Sequence, residues 1–467
     1  MSAATDLSPR RSPAAPVTAL SVLLLAALAV ANSAPAHAEP MAETDPEPPY
    51  EAALDEAIAG AAAAAVIRSL RRYAEVRALW VVRTALGSPE RVRAMVAQAD
   101  ASGFNTLLVQ VRGRGDALYA SAHEPRAESL PDDPFFDPLQ VAIEEAHARG
   151  MAVHAWVNTH LVWGPVDPPR SPEHLVNSHP DWLAVPRSLG RQLYHQDPRT
   201  IDYVARLIDH AAANVPKVEG LFTSPSHPAV QRRVQQVWID LALNYDVDGI
   251  HFDYVRFPSP NFDYSRGALE RFRAWLELRL PAARFQELAA AAERDPYAMV
   301  DAEPEHWDVF RRDSVTDLVR SVYRAVKLIR PGLVVSAAVV ADQRKAREDR
   351  FQAWTAWLAD GIIDVAVPMA YTDDTELFHN WVAAARAMAD SRERLWAGIG
   401  AYLNPVEETL RQIDYARGGR VGGVVVFAYG AAASTAPEPG APAPLERIGR
   451  AAFGARPAPG GASGEGP

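Results

Sequence analysis

The chain has 467 residues, of which 48% are hydrophobic and 22% are charged, the composition of a globular protein with a substantial core. Its formal net charge of −11 argues against binding of the nucleic-acid backbone, which requires a basic face, so we expect no nucleic-acid partner. The chain contains no cysteine, which excludes disulfides, cysteine-ligated zinc and a thiol nucleophile.

The N-terminus has the pattern of an export signal. Arg10 and Arg11 precede an apolar stretch from Val17 to Ala31, and Ala36-His37-Ala38 gives the small-x-small pattern of a cleavage site. The apolar stretch is shorter than the roughly 20 residues that a membrane-spanning helix needs, which favours a cleaved signal over an anchor. The sequence therefore predicts a signal peptide over residues 1–38 and export to the periplasm or beyond, with no stable membrane anchor after cleavage.

The rest of the chain divides by composition into three parts. Residues 39–72 begin as an acidic, proline-rich linker and continue as an alanine-rich segment with helical character. Residues 73–455 carry the repeating strand and helix pattern of the main domain. Residues 456–467 are rich in proline, glycine, alanine and serine, a composition typical of a disordered tail.

Eight apolar runs in the main domain alternate with amphipathic segments of helical periodicity. Most of these runs are continuous rather than alternating, which indicates parallel strands buried on both faces. The pattern predicts an α/β fold, a closed (β/α)8 TIM barrel. An open doubly wound sheet is the alternative, although no glycine-rich phosphate loop follows the first run. The runs are Ala78–Val82, Thr106–Val111, Ala152–Val157, Gly249–Val255, Val334–Val340, Ile362–Pro368, Leu395–Ala401 and Gly423–Tyr429.

Two connections are much longer than the others. Residues 159–228 follow the third predicted strand, and residues 257–313 follow the fourth. Loops that follow barrel strands lie on the C-terminal face, where barrel active sites are found. We therefore expect these insertions to wall a substrate groove.

The sharpest motif is Asp248-Gly249-Ile250-His251-Phe252-Asp253, which covers the fourth strand. His251 and Asp253 point to the same side because alternate residues of a strand share a face. A carboxylate buried in an apolar strand needs a partner or a function, because burying an unpaired charge is costly. Asp253 is thus the predicted catalytic nucleophile or base, and a structural ion pair with Arg256 is the alternative.

Polar and aromatic residues also end the other strands, and a sugar-binding cleft needs this mixture of fork-like donors and stacking rings. Glycoside hydrolysis requires a second carboxyl group, for which Asp373 after strand six is the candidate general acid. An N-cap role is the alternative for either Asp373 or the neighbouring Asp374. The predicted substrate-binding residues are Arg83, Gln110, Arg112, Trp156, Asn158, His160, His251, Arg256, Tyr371, Asp374 and Tyr402.

The sequence gives no pattern for a catalytic metal, a cofactor or a serine nucleophile. Barrel hydrolases that use a metal usually carry a His-x-His pair on one strand, and this chain offers only His251-x-Asp253. The chain also lacks the Gly-x-Ser-x-Gly elbow of serine hydrolases. We therefore expect no metal and no cofactor.

Several segments between Glu75 and Gly430 together resemble the glycosyl-hydrolase-like family ten barrels. The resemblance implies an exported barrel glycosidase with Asp253 as the leading catalytic residue, and it implies a polysaccharide substrate, because some relatives cleave peptidoglycan glycan strands stripped of their stem peptides. A non-catalytic carbohydrate-binding barrel at the cell envelope is the alternative. The segments are Val76-Arg77-Ala78-Leu79-Trp80-Val81, Gly103-Phe104-Asn105-Thr106, Gly150-Met151-Ala152-Val153-His154-Ala155-Trp156-Val157-Asn158, His179-Pro180-Asp181-Trp182, His227-Pro228-Ala229-Val230 and Asp248-Gly249-Ile250-His251-Phe252-Asp253.

Overall fold

A computed structural model describes residues 64–418, 420–430 and 443–454 of the chain. The predicted signal peptide, residues 1–38, and the predicted tail, residues 456–467, lie outside the described residues, as do residues 39–63 of the predicted linker and helix. Among the described residues, none of the helices combines the length and the apolar character that crossing a membrane requires.

Eight parallel strands close into a barrel in the order β1-β2-β3-β6-β7-β8-β9-β10, which confirms the predicted fold. Strands β2 and β3 are buried along their whole length, because one face fills the barrel and the other is covered by helices. The short strands β4 and β5 pair antiparallel outside the barrel. The strands are β1 (Val76–Val81), β2 (Thr106–Arg112), β3 (Ala152–Asn158), β4 (Leu161–Trp163), β5 (Leu221–Phe222), β6 (Gly249–Asp253), β7 (Val334–Val340), β8 (Val365–Met369), β9 (Trp396–Gly400) and β10 (Gly423–Tyr429).

Helices surround the barrel and fill the two insertions. Several begin at a side-chain cap; for example, Ser88 accepts a hydrogen bond from the Arg91 amide at the start of Pro89–Ala101. Besides a described helical turn over residues 64–70, the α-helices are Pro89–Ala101, Pro138–His147, Leu175–Ser178, Arg187–Leu193, Ile201–Ala213, Pro228–Asn244, Arg266–Glu277, Ala282–Ala292, Ala298–Ala302, Pro304–Ile329, Gln343–Asp349, Trp354–Ala359, Thr375–Met388, Val406–Arg417 and Pro444–Phe453. Three short 3-10 helices are Arg83–Leu86, Pro180–Trp182 and Arg392–Arg394.

The two long insertions follow β3 and β6, as predicted, and each has its own apolar cluster. They are joined by Asp263 of the second insertion, whose carboxylate accepts a hydrogen bond from the Val185 amide of the first at 2.8 Å. Tyr297 adds a second link, because its hydroxyl donates to the Arg187 carbonyl at 2.7 Å. The insertions are therefore packed against each other rather than being independent loops.

The opposite, N-terminal end of the barrel is closed by residues 64–73, which we call the floor segment. Val66 and Leu70 of this segment are buried in one apolar cluster with Val76 and Trp396 at the starts of β1 and β9. Polar contacts hold the segment in place, including an ion pair between Arg72 Nη1 and Asp248 Oδ1 at 2.9 Å. A cavity of about 490 Å³ remains between the floor segment and the strand starts.

Candidate active site

Asp253 is the last residue of β6 and lies at the C-terminal mouth of the barrel, with 7% of its surface exposed. Its two carboxyl oxygens are held by separate donors. The Tyr254 amide donates to Oδ1 at 2.7 Å, and the Trp156 indole N–H donates to Oδ2 at 3.1 Å. Burial raises the pKa of Asp253 to about 6, although these two donors and the cation of Arg256 oppose the rise. Asp253 is thus a fixed carboxyl group that exchanges its proton near neutral pH.

A second carboxylate, Glu219, faces the same region from the first insertion. Glu219 Oε1 is 2.8 Å from Nη2 of Arg256, a side chain that is itself buried. The negative charge of Glu219 adds to the burial effect that raises the pKa of Asp253. Its other oxygen, Oε2, is buried and has no hydrogen-bond partner among the described residues. The structure therefore gives Asp253 a neighbouring carboxylate with one oxygen unused.

Sequence reasoning missed Glu219 because it lies outside the barrel strands. It precedes β5, which has only two residues, so no strand periodicity marked its position. The single signal in the sequence was an isolated carboxylate just before the apolar pair Leu221-Phe222. Arg256, the alternative ion-pair partner that the sequence offered for Asp253, pairs instead with Glu219. Its predicted role in substrate binding stays a prediction.

Aromatic side chains line the mouth next to Asp253. Tyr371 lies between Tyr402 and Trp80, with ring centroids 6.0 Å away in each case and nearly perpendicular planes. Burial, followed by the negative charge of Asp253, raises the pKa of Tyr371. The ring of Tyr402 is 51% exposed, so it offers an open apolar face at the rim of the mouth. The structure therefore brings the predicted residues Trp156, Tyr371 and Tyr402 together around Asp253.

Gln110, Asn158 and Arg112, three of the predicted substrate-binding residues, are held within the protein, and their contact with substrate stays a prediction. Each is at least 95% buried and bonded within the protein. Gln110 accepts from the Arg83 amide at 3.1 Å and donates to the Asn158 side chain at 3.3 Å. Asn158 in turn donates to the Gly113 carbonyl at 3.0 Å. Arg112 pairs with the buried carboxylate of Glu124 at 3.1 Å. These side chains satisfy one another because the strand ends are covered, and they fix the loop after β2.

The two predicted histidines are also core residues, and their assignment to substrate binding stays a prediction. The ring of His251 is fully buried, accepts from the Trp80 indole N–H at 3.1 Å and donates to Ser336 Oγ at 2.9 Å. His160 is fully buried as well, with Nδ1 3.0 Å from Thr223 Oγ1. Burial lowers the pKa of both rings, that of His160 to about 3, so both are neutral.

Of the two aspartates after β8, Asp374 caps the helix Thr375–Met388 rather than binding substrate. Its Oδ1 accepts from the amides of Glu376 and Leu377 at 2.9 and 3.1 Å, which corrects the predicted role and agrees with the capping alternative. Asp373 is exposed, and its role as general acid stays a prediction. Among the described residues, no group of three or more histidine, aspartate or glutamate side chains is arranged to hold a metal ion.

Arg83, the last of the predicted residues, lies just after β1. It is half-buried, and its side chain packs along Gly113. A methyl group added at Gly113 would come within 2.6 Å of Arg83 Cδ. Arg114, which follows Gly113, is half-buried at the same place. The connections after β1 and β2 therefore present one guanidinium group each, and the two lie together close to the mouth.

A closed parallel barrel with a buried carboxyl group, a second carboxylate and an exposed aromatic ring at the strand C-termini is the architecture of the barrel glycosidases. Residues 75–403 match the family described as Glycosyl hydrolase-like 10, and the chain belongs to that family.

Two curated relatives carry glycosyl hydrolase names. The chain is 24% identical over 294 residues to "Glycosyl hydrolase YngK" of Bacillus subtilis, a match that covers 58% of this chain and 46% of that protein. It is 25% identical over 322 residues to "Glycosyl hydrolase DigH" of Escherichia coli, covering 64% of this chain and 63% of that one. The chain thus spans less than two thirds of either relative.

A solved structure shares the fold. The glycoside hydrolase domain of PgaB (BpsB) from Bordetella bronchiseptica superposes with a TM-score of 0.52 at 16% identity, covering 76% of this chain and 94% of that domain. At this identity the likeness shows the barrel fold alone.

Proposed function

We propose that the protein is an exported glycoside hydrolase that cleaves a cell-envelope polysaccharide, with peptidoglycan glycan strands as the substrate. The observation that carries this proposal is the pairing of a buried Asp253, whose pKa is raised to about 6, with the Arg256-bound carboxylate of Glu219 at the barrel mouth. Family membership and the export pattern of residues 1–38 support the reaction class and the compartment.

The two carboxyl groups differ in the way that glycoside hydrolysis requires, since one must deliver a proton and the other must be ionised. The cation of Arg256 stabilises the anionic form of Glu219. Burial favours the protonated form of Asp253. A carboxyl group whose pKa is raised by burial is suited to deliver the proton. We therefore assign proton donation to Asp253, where the sequence had suggested a nucleophile or base.

Glu219 then acts on the anomeric carbon, either directly or through a water molecule. Its Oε2 is buried and has no partner among the described residues, so no hydrogen bond within the protein competes for that role. The exposed ring of Tyr402 supports the neighbouring sugar by stacking on its apolar face.

The proposal is tested by incubating the purified protein with peptidoglycan strands stripped of their peptides and with other polysaccharides, followed by mass analysis of the soluble products. We expect the wild type to release fragments, and we expect Asp253→Asn and Glu219→Gln to reduce the rate by about 10²–10⁴-fold.

Two matched variants control for the loss of a carboxylate elsewhere. Asp248→Asn removes a carboxyl group just before the same strand, at the opposite end of the barrel, where it pairs with Arg72. Glu303→Gln removes a glutamate that pairs with Arg284 away from the mouth. Both should keep wild-type rates. Wild-type protein that binds glycans and releases no product would contradict the proposal and support a carbohydrate-binding barrel.

A further inference from the structure

Arg83 and Arg114 meet beside the active site, on either side of Gly113. Arg83 Nη1 lies 3.3 Å from the position that a Gly113 Cβ would occupy, and Arg114 Nη1 donates to the Gly113 carbonyl at 3.3 Å. Burial and the like charge of Arg83 lower the pKa of Arg114, which agrees with two guanidinium groups in close proximity. The connections after β1 and β2 thus hold the two cations together at the rim.

Neither arginine has a carboxylate partner in an ion pair within the described part of the chain. This contrasts with Arg112 and Arg256 nearby, which are both paired with glutamates. Two half-buried guanidinium groups repel each other. The charges of Asp116 and Glu219 offset this in part at Arg114, but neither carboxylate pairs directly with either guanidinium. The same arrangement suits an incoming carboxylate, because guanidinium groups bind its two oxygens with charge-assisted hydrogen bonds.

The loop that carries Arg114 is rigid. The Arg114 amide donates to the Asp116 carboxylate at 2.9 Å, and the Arg114 carbonyl is 2.7 Å from Nε2 of His174. The Gly113 carbonyl is fixed by Asn158 at 3.0 Å. A cation held in this way loses little conformational freedom when it binds a ligand, which favours recognition of a defined anion. The buried amides that the sequence assigned to substrate binding therefore serve to hold the arginines.

The arginines are also within reach of the reacting groups. Arg114 interacts electrostatically with Glu219 and with Tyr254, the residue after Asp253. The negative charge of Glu219 disfavours a doubly charged phosphate more strongly than a singly charged carboxylate, because repulsion grows with charge. A carboxylate bound here belongs to a sugar unit adjacent to the bond that is cleaved.

We infer that Arg83 and Arg114 form a subsite for a sugar unit that bears a free carboxylate, so that the enzyme selects acidic glycans. The inference rests on the proposed function and narrows its substrate class. The carboxylate can be the lactyl group that is freed when stem peptides are removed from peptidoglycan, or the carboxylate of a uronic acid. A neutral or amine-bearing glycan lacks the group that the two arginines need.

Binding tests this inference separately from hydrolysis, with Asp253→Asn as a non-hydrolysing background. Titration calorimetry is carried out with four glycans: peptide-stripped strands, the same strands with their carboxyl groups reduced to alcohols, oligogalacturonate and oligoglucosamine. We expect the stripped strands to bind most tightly. Arg83→Gln and Arg114→Gln should each weaken that binding by roughly 10- to 100-fold. They should leave the affinity for reduced strands unchanged.

Arg266→Gln is the matched control, since it removes an exposed arginine that pairs with Glu270 on an insertion helix. Equal losses on acidic and reduced strands would overturn the inference, because they indicate a structural role for the arginines. The inference would also be overturned if Asp253→Asn with both arginines intact bound the acidic and the reduced strands equally tightly. Arginine-dependent binding of oligogalacturonate alone would support the carboxylate subsite and contradict the peptidoglycan substrate. Arginine-dependent binding by a wild type that cleaves nothing would support the subsite and refute the proposed hydrolysis.

Discussion

Replacing Asp253 by asparagine should stabilise the protein at neutral pH while it abolishes catalysis. The pKa of Asp253 rises from 3.8 to about 6 on folding because the carboxyl group is buried. A shift of roughly two units corresponds to about 3 kcal/mol of free energy. The fold therefore carries a penalty of that size whenever the group is ionised.

The pH at which this penalty acts follows from the two pKa values. Below about pH 4 the carboxyl group is protonated in both the folded and the unfolded chain, so it has no effect. Between about pH 4 and pH 6 the unfolded chain releases the proton first, and stability falls as pH rises. Above pH 6 the penalty is constant. Asparagine has no proton to release, so the stability difference between variant and wild type should grow by about 3 kcal/mol from pH 4 to pH 7.

Urea unfolding of both proteins across this pH range measures the difference directly. Every other group titrates in both proteins, so the difference isolates Asp253. At any single pH, the difference in unfolding free energy between the two proteins also includes one lost hydrogen bond, because asparagine has a single acceptor oxygen for the donors of Trp156 and Tyr254. A difference that stays constant with pH would refute the reasoning, since it would mean that the carboxyl group is well solvated in the folded protein.

Three further outcomes are expected. If Asp253 donates the proton, kcat/KM on the susceptible glycan should fall as pH rises above about 6, and a rate that instead increases through pH 6 would make it the nucleophile or base. Burial lowers the pKa of His154 to about 4, so the unfolded chain takes up a proton first as pH falls below 6.5. Between pH 6.5 and pH 4 the wild type should therefore lose about 3 kcal/mol of stability relative to His154→Gln, as measured by unfolding both proteins at the two pH values. Leu70→Ala in the floor segment should lower the unfolding free energy by about 2–4 kcal/mol and leave the activity of the folded fraction intact, whereas a loss of activity without a loss of stability would contradict a purely structural role.

The barrel could be predicted from the sequence because its strands are continuous apolar runs. Val334–Val340 was predicted with the bounds that the structure shows. The run predicted from Ile362 pairs only from Val365, because Asp364 accepts from the Val335 amide and binds Lys327, which ends the preceding turn. The connection predicted over residues 257–313 ends within a helix, because Pro304–Ile329 begins at Pro304, where proline occupies the first turn.

The candidate site was predicted less completely, and the reason is physical. The position of Asp253 followed from strand alternation, which is a local property. Whether a polar group at a strand end faces the groove or a neighbouring strand depends on tertiary contacts, which is why the sequence could not indicate that Gln110 and His251 bond within the protein. Glu219 reaches the mouth only through the folding of an insertion without regular periodicity, so no local pattern could indicate it.

The floor segment affects where the domain can be cut. The family match begins at residue 75, two residues past the end of this segment. A chain shortened to that boundary would keep every strand and both carboxyl groups, yet it would uncover Val76, Val334 and Trp396 and remove the counterion of Asp248. Exposed apolar surface of this kind promotes aggregation. Recombinant work on the barrel should therefore start upstream of residue 64, even though homology alone suggests a later first residue.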